Sequence, residues 1–251
     1  MQKESFDDLV KLYLRRIAEV GFDYYVKENE GYKFDFVNHF QNNFDINAAN
    51  SYEMLDKALL NNNLTGNIYY FPRKMLLVFA KKDGEKVKKA LDILFDQTID
   101  VAERINTFKN VIDGMMAEEN KNNEKKKHSF IDLRFISLLL AAKYPNDYFY
   151  IMITPFRRVG KLFEIGLNYN SQSTDGENYK TLSCVGEYVQ FKIKQYPEIL
   201  KVREGFIDPR NRVKYSTMFT DDKYSWITQD FIWVVGGKLD KSKDPVSDPN
   251  L

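Results

Sequence analysis

Cysteine and long hydrophobic runs are scarce in this 251-residue sequence, and each scarcity argues against a class of protein. The single cysteine, Cys184, excludes an internal disulfide and a zinc site built from several cysteines. No run of about 18 apolar residues is present, so the sequence predicts no membrane-spanning helix. The first ten residues lack the apolar core of a secretory signal. Together these features predict a cytoplasmic protein with no membrane partner.

The composition is that of a globular chain whose core is rich in large rings. Hydrophobic residues make up 43% and charged residues 29% of the sequence, both ordinary values. Phenylalanine (19) outnumbers glycine (12), which favours packed helices over a glycine-rich barrel. The net charge of +1 does not by itself indicate a nucleic-acid-binding protein, although residues 192–214 carry seven bases and three acids.

Apolar residues recur at helical spacing through most of the chain, which predicts a mainly α fold with few or no strands. Asp100, followed by Glu103, predicts the start of a helix with a buried stripe. The segment 129–144, opened by Ser129 with Asp132, is apolar on nearly every side, which predicts a central helix. The run FIWVV at 231–235 is too short to distinguish a strand from a buried helical turn.

Two polar stretches, at 117–127 and 168–180, lack any apolar period and predict exposed loops. The first of these is the best boundary between two helical subdomains, an N-terminal one at 1–116 and a C-terminal one at 128–236. Residues 237–251 are polar after two glycines and are interpreted as a tail or linker.

Two residue sets could be assembled into a catalytic site, and each has a plainer interpretation. Cys184 with His39 and His128 could form a Cys–His nucleophile, but a lone cysteine near an apolar helix start is more typical of buried packing. Asp113 with residues 124–126 fits the letters of a magnesium-dependent nuclease, yet such sites need neighbouring strands, and a charge run is typical of a solvated loop. The sequence therefore predicts no catalytic residue, metal or cofactor.

Three basic groups are candidate nucleic-acid contacts, because lysine and arginine neutralise phosphates and aromatic rings can stack on an unstacked base. The alternative is that these side chains only solvate helix faces while the neighbouring rings, at 148–150, belong to the core. Convergence of the groups on one face favours DNA binding, and scatter favours a protein scaffold. The groups are Lys125, Lys126 and Lys127; Arg157, Arg158 and Lys161; and Arg203, Arg210, Arg212 and Lys214.

Five segments in a fixed order carry a family pattern that covers roughly residues 30 to 236. They are YKFDFVNHFQNNFDINAANSYEMLDKAL (32–59), GNIYYFPRKMLLVFA (66–80), VKKALDILFDQTIDVAERINTF (87–108), LRFISLLLAAKYPNDYFYIMITPFRR (133–158) and WITQDFIWVV (226–235). The pattern resembles the helical region that precedes the motor domain in McrB-type, modified-cytosine restriction proteins of the AAA+ class. The last segment holds the family's Gln-Asp-Phe signature, at 229–231.

The resemblance implies which partners this chain has, and it implies no catalytic activity for the chain itself. The family's motor hydrolyses nucleotide, usually GTP, and drives a nuclease along DNA, while the regions before the motor vary and in some members read particular or modified DNA. This chain departs from the whole-protein pattern because its Gly-Lys pairs, at 160–161 and 237–238, lack the first glycine and the hydroxyl residue of a phosphate-binding loop.

The expected function is therefore a non-catalytic sensing or adaptor module in antiviral restriction. Its candidate partners are DNA, an AAA+ motor in the same or another chain, and a nuclease subunit. The alternative is a scaffold that positions the motor or nuclease without touching DNA. In either case the signature is expected to be structural, with Asp230 capping a backbone end while Trp226 and Trp233 close the core.

Overall fold

Helices form the regular structure of the chain. The computed structural model describes residues 5–60, 63–66, 69–121, 126–207 and 224–239, and these ranges contain no strand, which confirms the predicted mainly α fold. The elements in chain order are α1 (Phe6–Val20), α2 (Phe22–Tyr24), a π-helical turn (Tyr25–Asn29), α3 (Tyr32–Asn43), α4 (Ser51–Ala58), α5 (Pro72–Lys82), α6 (Gly84–Phe95), α7 (Val101–Asn120), α8 (Leu133–Lys143), α9 (Ile153–Phe163), α10 (Asp175–Ile193), α11 (Pro197–Ile207) and α12 (Ser225–Lys238).

Capping side chains fix several helix starts by accepting hydrogen bonds from backbone N–H groups that have no partner within the helix. Asp100 accepts from the backbone nitrogen of Ala102 at the start of α7, as its position predicts. Thr174 and Glu177 form a reciprocal capping box at the start of α10. Pro72 occupies the first turn of α5, where its missing N–H costs nothing.

Several predicted boundaries are wrong. Helix α7 continues to Asn120, because Met115 and Met116 near its end are buried, so the start of the predicted loop 117–127 is helical. The capping box starts α10 at Asp175, inside the predicted loop 168–180. Helix α8 begins at Leu133 with Asp132 as its N-cap, rather than at Ser129.

The ambiguous run 231–235 is helical, because it lies inside α12, whose residues from 225 to 232 are all buried. Helix α12 also passes through Gly236 and Gly237 and ends at Lys238, later than the predicted start of the tail at 237. Residues 240–251 of that tail lie outside the described residues.

Helix α8 is the central element, as its apolar surface predicts. Every residue from Phe135 to Ala142 is buried, and the helix packs against α3, α6 and α10. The hydroxyl of Ser137, the one polar residue in this stretch, donates to the carbonyl of Arg134 and accepts from the backbone nitrogen of Ile151. The polar atom is thereby satisfied inside an apolar core.

The helices form two sets. In the first, which runs from α3 to α7, consecutive helices pack against each other. In the second, α9, α10 and α12 pack against one another. The two sets meet where α7 lies against α10, and α8 joins them because it packs against α3 and α6 of the first set and α10 of the second. Helix α1 packs on α12. A β-carbon on Gly176 would lie 2.2 Å from the carbonyl oxygen of Ala102, so glycine permits the close approach of α10 to α7. One hydrophobic cluster includes buried residues of both sets. The predicted division of the chain into two helical subdomains at 117–127 stays a prediction.

Among the described helices, none combines the length and the apolar character needed to cross a membrane.

Candidate nucleic-acid interface

Asp230, the charged residue of the family signature, lies fully buried in the middle of α12 and does not cap a backbone end as predicted. Its Oδ2 accepts hydrogen bonds from the hydroxyls of Tyr13 and Tyr25, both at 2.7 Å. Its Oδ1 pairs with Nζ of Lys33 at 3.0 Å. These partners lie on α1, the π turn and α3, about 200 positions away along the chain, so sequence spacing gave no sign of them.

Lys33 links this carboxylate to a second one. Its Nζ lies 2.7 Å from Oε2 of Glu30, and its side chain is 3% exposed. Burial alone would lower the pKa of Lys33, but the charges of Asp230 and Glu30 outweigh burial and raise that pKa. Burial, followed by the charge of Asp230, raises the pKa of Tyr13 and of Tyr25 well above the ordinary value. The ammonium and both phenols therefore stay protonated at neutral pH, and we call this closed set the Asp230 network.

The two tryptophans of the signature differ. Trp226 is buried, and its Nε1 donates to the carbonyl of Ala141 in α8, so its ring closes the core as predicted. Trp233 is 40% exposed, contrary to the prediction, because the last turns of α12 reach the surface.

The basic group on α9 is partly engaged within the molecule. The guanidinium of Arg157 lies 4.7 Å from the ring centroid of Tyr169, and Nη1 of Arg158 donates to the carbonyl of Gly236 at 3.2 Å. Lys161 is exposed. The aromatic run 148–150 is not available for stacking on a base, since Phe149 and Tyr150 are buried and the hydroxyl of Tyr148 accepts from Arg104 at 2.7 Å.

The other two groups are described in part. On α11, the guanidinium of Arg203 lies 4.6 Å from the ring centroid of Tyr224, while Arg210, Arg212 and Lys214 lie outside the described residues. After α7, Lys126 and Lys127 are exposed, and Lys125 lies outside the described residues. Nζ of Lys126 donates to the carbonyl of Asn120, and Nζ of Lys127 lies 3.4 Å from Glu119.

Arg158 and Arg203, from two of these groups, contact opposite ends of α12. Arg158 bonds to Gly236 near its C-terminal end, whereas Arg203 stacks on Tyr224 at its N-terminal end. A helical rise of about 1.5 Å per residue separates these anchor points by about 18 Å. Arg158 and Arg203 therefore do not belong to one compact phosphate-binding cradle.

The residues of the possible Cys–His nucleophile lie on separate elements. Cys184 is exposed on α10, contrary to the predicted burial, because the buried stripe of that helix runs through Leu182 and Val185 instead. His39 lies on α3 with Nε2 2.6 Å from the carbonyl of Lys57, and His128 packs near Phe130 before α8.

The described aspartate of the possible nuclease site lies in an ion pair on the surface of α7. Asp113 forms an i,i+4 ion pair with Lys109 on α7, which is typical of a solvated helix face. Glu124, the acid of the Glu-x-Lys letters, lies outside the described residues. Within the described ranges, no three His, Cys, Asp or Glu side chains are grouped so that they could hold a metal ion.

An open pocket lies between the end of α3, α6 and the end of α8, lined by Phe44, Ile46, Asp92, Ile93, Phe95, Asp96, Lys143 and Tyr144. Several lining groups already fasten this corner. The hydroxyl of Tyr144 donates to the carbonyl of Phe95 at 2.7 Å, and Nζ of Lys143 lies 5.1 Å from the Phe44 ring centroid. Asp96 accepts from the backbone and hydroxyl of Thr98. The lining side chains therefore hold α3, α6 and α8 together at this corner, which explains their arrangement without a ligand.

A surface that no sequence motif indicates lies where the loop before α5 meets the loop before α8. It brings exposed rings together with lysines from separate segments, so no local pattern revealed it as one unit. Its members, which we call the Phe71–Phe130 surface, are Tyr69, Phe71, Lys74, Lys126, Lys127, His128 and Phe130.

Comparison with known proteins gives no match for this chain to any family model, curated protein or solved structure.

Proposed function

We propose that this chain is a non-catalytic sensing or adaptor module of a McrB-like restriction system. In this proposal it contacts DNA, while an AAA+ motor and a nuclease supply the chemistry. The family part of the proposal is supported by the five ordered segments between residues 32 and 235.

The Asp230 network is the observation that carries the non-catalytic part. Strongly shifted pKa values often mark active sites, but ion pairs inside a core shift them as well. Here the shifted groups, Tyr13, Tyr25 and Lys33, all turn towards one carboxylate that is 0% exposed. A substrate cannot reach that carboxylate unless α12 separates from α1 and α3. The network therefore serves as a polar clamp on the position of α12.

DNA contact is supported by the exposed lysines at 126, 127 and 161. Such side chains neutralise phosphates and displace counterions, so binding through them carries little sequence information. We expect modest affinity for duplex DNA and a steep decrease of that affinity with salt.

Titration of a labelled duplex, with and without modified cytosine, at low and moderate salt tests this proposal. Lys161→Ala, and Lys126→Ala combined with Lys127→Ala, should weaken binding and flatten the salt dependence by about 0.9 per lost phosphate contact. Lys89→Ala, which removes an exposed lysine of α6, is the matched control. A duplex that does not bind even at low salt would contradict DNA contact. Nucleotide hydrolysis by the purified chain would contradict the non-catalytic assignment.

The scaffold function is a second candidate, and two observations favour it: Arg158 and Arg203 contact opposite ends of α12, and the α9 cations contact other parts of the chain. Arg157 and Arg158 are engaged with Tyr169 and Gly236, so the positions of these two cations are explained without DNA. Exposed apolar side chains such as Phe191, at 64% exposure, offer contacts for a protein. Co-elution with the AAA+ motor of the same system, together with no binding of duplex DNA, would support the scaffold.

A further inference from the structure

The Phe71–Phe130 surface rests on a firmly held base. The hydroxyl of Tyr70 donates to Oδ1 of Asp132 at 2.8 Å, which ties the loop before α5 to the N-cap of α8. The guanidinium of Arg134 lies 4.8 Å from the Tyr70 ring centroid, and its Nε donates to the hydroxyl of buried Tyr150. Both loops are thereby fastened to the central helix, so the surface is preorganised.

Two of the rings above this base are exposed, and Phe130 is half-buried. Tyr69 is 82% exposed and Phe71 is 36% exposed. Phe71 and Phe130 meet edge to face at 5.7 Å, with an interplanar angle of 80°. Phe130 has a φ of 56°, a left-handed backbone that is uncommon for a bulky residue and is often found at functional sites. The fold thus places the Phe130 ring beside Phe71 at a cost in backbone strain.

One basic side chain lies beside these rings, and two more lie on the segment that leads to them. Nζ of Lys74 lies 5.9 Å from the Phe71 ring centroid, and Lys126 and Lys127 precede the ring-bearing loop. Glu119 lies 3.4 Å from both Lys127 and Lys82, so one acid is shared by two cations. Asp132 is a second exposed acid beside this surface. The cations Lys74, Lys82, Lys126, Lys127 and Arg134 still outnumber the two acids, and this excess of positive charge complements a phosphate backbone.

We propose that the Phe71–Phe130 surface binds single-stranded nucleic acid, with bases stacked on Tyr69 and Phe71 and phosphates beside Lys74, Lys126 and Lys127. A duplex keeps its base faces covered and offers phosphates alone, whereas an unpaired strand offers both partners that this surface complements. The inference rests on the proposed function, because it names the form of nucleic acid that the module contacts.

Fluorescence anisotropy with labelled oligo(dT), oligo(U) and a duplex of equal length tests the inference on the full chain. Tyr69→Ala should weaken single-strand binding roughly 5- to 100-fold, as expected for the loss of one stacked base. Tyr69→Phe keeps the ring and should bind as the parent chain does. Lys74→Ala should flatten the salt dependence by about 0.7, the value for one phosphate contact on a single strand.

Two controls separate the surface from general effects. Phe191→Ala removes another exposed ring, on α10, and Lys201→Ala removes another exposed lysine, on α11. Neither should change single-strand binding by more than about twofold. Circular dichroism of each variant checks that the helices are intact. Comparison of oligo(dT) with oligo(U) shows whether the strand is DNA or RNA.

The outcomes distinguish this inference from the function on which it rests. Loss of single-strand binding in Tyr69→Ala, with retention in Tyr69→Phe, supports the inference. Binding of the duplex alone overturns it but leaves the proposed DNA contact in place. Equal losses in Tyr69→Ala and Phe191→Ala also overturn it. Failure of every nucleic acid to bind overturns both, and binding of a protein partner instead would assign the surface to the scaffold function.

Discussion

The Asp230 network and the Phe71–Phe130 surface use the same side chains in opposite settings. Each contains a tyrosine hydroxyl that donates to an aspartate, at 2.7 Å from Tyr25 to Asp230 and at 2.8 Å from Tyr70 to Asp132. Asp230 is 0% exposed and receives three donors from distant elements, whereas Asp132 is exposed at a helix start. Burial turns the first set into a clamp, while exposure leaves the rings and lysines around the second set accessible to a ligand.

Removal of one charge from the Asp230 network should have the largest effect. In Lys33→Met the carboxylate of Asp230 stays buried without its cation, and such a loss costs about 3–5 kcal/mol of unfolding free energy. Lys74→Met at the Phe71–Phe130 surface should change stability by less than about 0.5 kcal/mol. Urea denaturation of both variants measures the difference. An equally small loss of unfolding free energy in the two variants would show that burial does not make the Asp230 network more important for stability than the Phe71–Phe130 surface.

Alkaline pH should weaken the fold through the same network. In the unfolded chain the phenols of Tyr13 and Tyr25 ionise near pH 10, whereas in the folded chain burial and Asp230 keep their pKa values higher. Above pH 10 the unfolded state therefore binds fewer protons, and stability falls by about 2–3 kcal/mol per pH unit for the two phenols. The last part of the tyrosinate absorbance, from the buried phenols, should appear together with the loss of the circular dichroism signal. Full tyrosinate absorbance from a chain that is still folded would contradict the closed network.

The two tyrosine–aspartate bonds should differ in strength. Tyr25→Phe leaves the buried Asp230 short of one donor, which should cost about 1–3 kcal/mol. Tyr70→Phe should cost about 0.5–1.5 kcal/mol, because water can replace the lost donor at exposed Asp132. Thermal denaturation gives both values. A larger loss for Tyr70→Phe would reverse the comparison.

The smallest effects are expected on α9, where the two settings meet in one helix. Arg158→Ala should cost about 0.5–1.5 kcal/mol, since the bond to the carbonyl of Gly236 is lost. Lys161→Ala, at an exposed position, should stay within about 0.5 kcal/mol. Denaturant titration of the two variants compares a half-buried cation with an exposed one. A destabilisation by Lys161→Ala that matched Arg158→Ala would contradict this division.

Local patterns were sufficient to predict the helices and the central position of α8. The apolar period identifies the buried stripe Ile105, Phe108 and Ile112 of α7, and Asp100 identifies its start. The loop at 168–180 was misjudged because Thr174 and Glu177 look like ordinary loop residues unless the capping box is recognised. These are properties of neighbouring residues, which a sequence displays directly.

The sites depended on residues that are far apart along the chain. Asp230 looked like a capping residue, and its partners at positions 13, 25 and 33 became visible only when α1, the π turn and α3 were placed against α12. Cys184 looked buried because its neighbours are apolar, yet the helix turns it outward.

By itself the sequence determined a helical chain with a ring-rich core, because helix formation depends on capping and on an apolar period of 3.6 residues. Only the tertiary structure decided which polar residues became structural and which stayed accessible. That outcome depends on burial, and burial depends on how distant helices pack. It made Asp230 the centre of a closed core network and left Tyr69 and Phe71 exposed beside lysines.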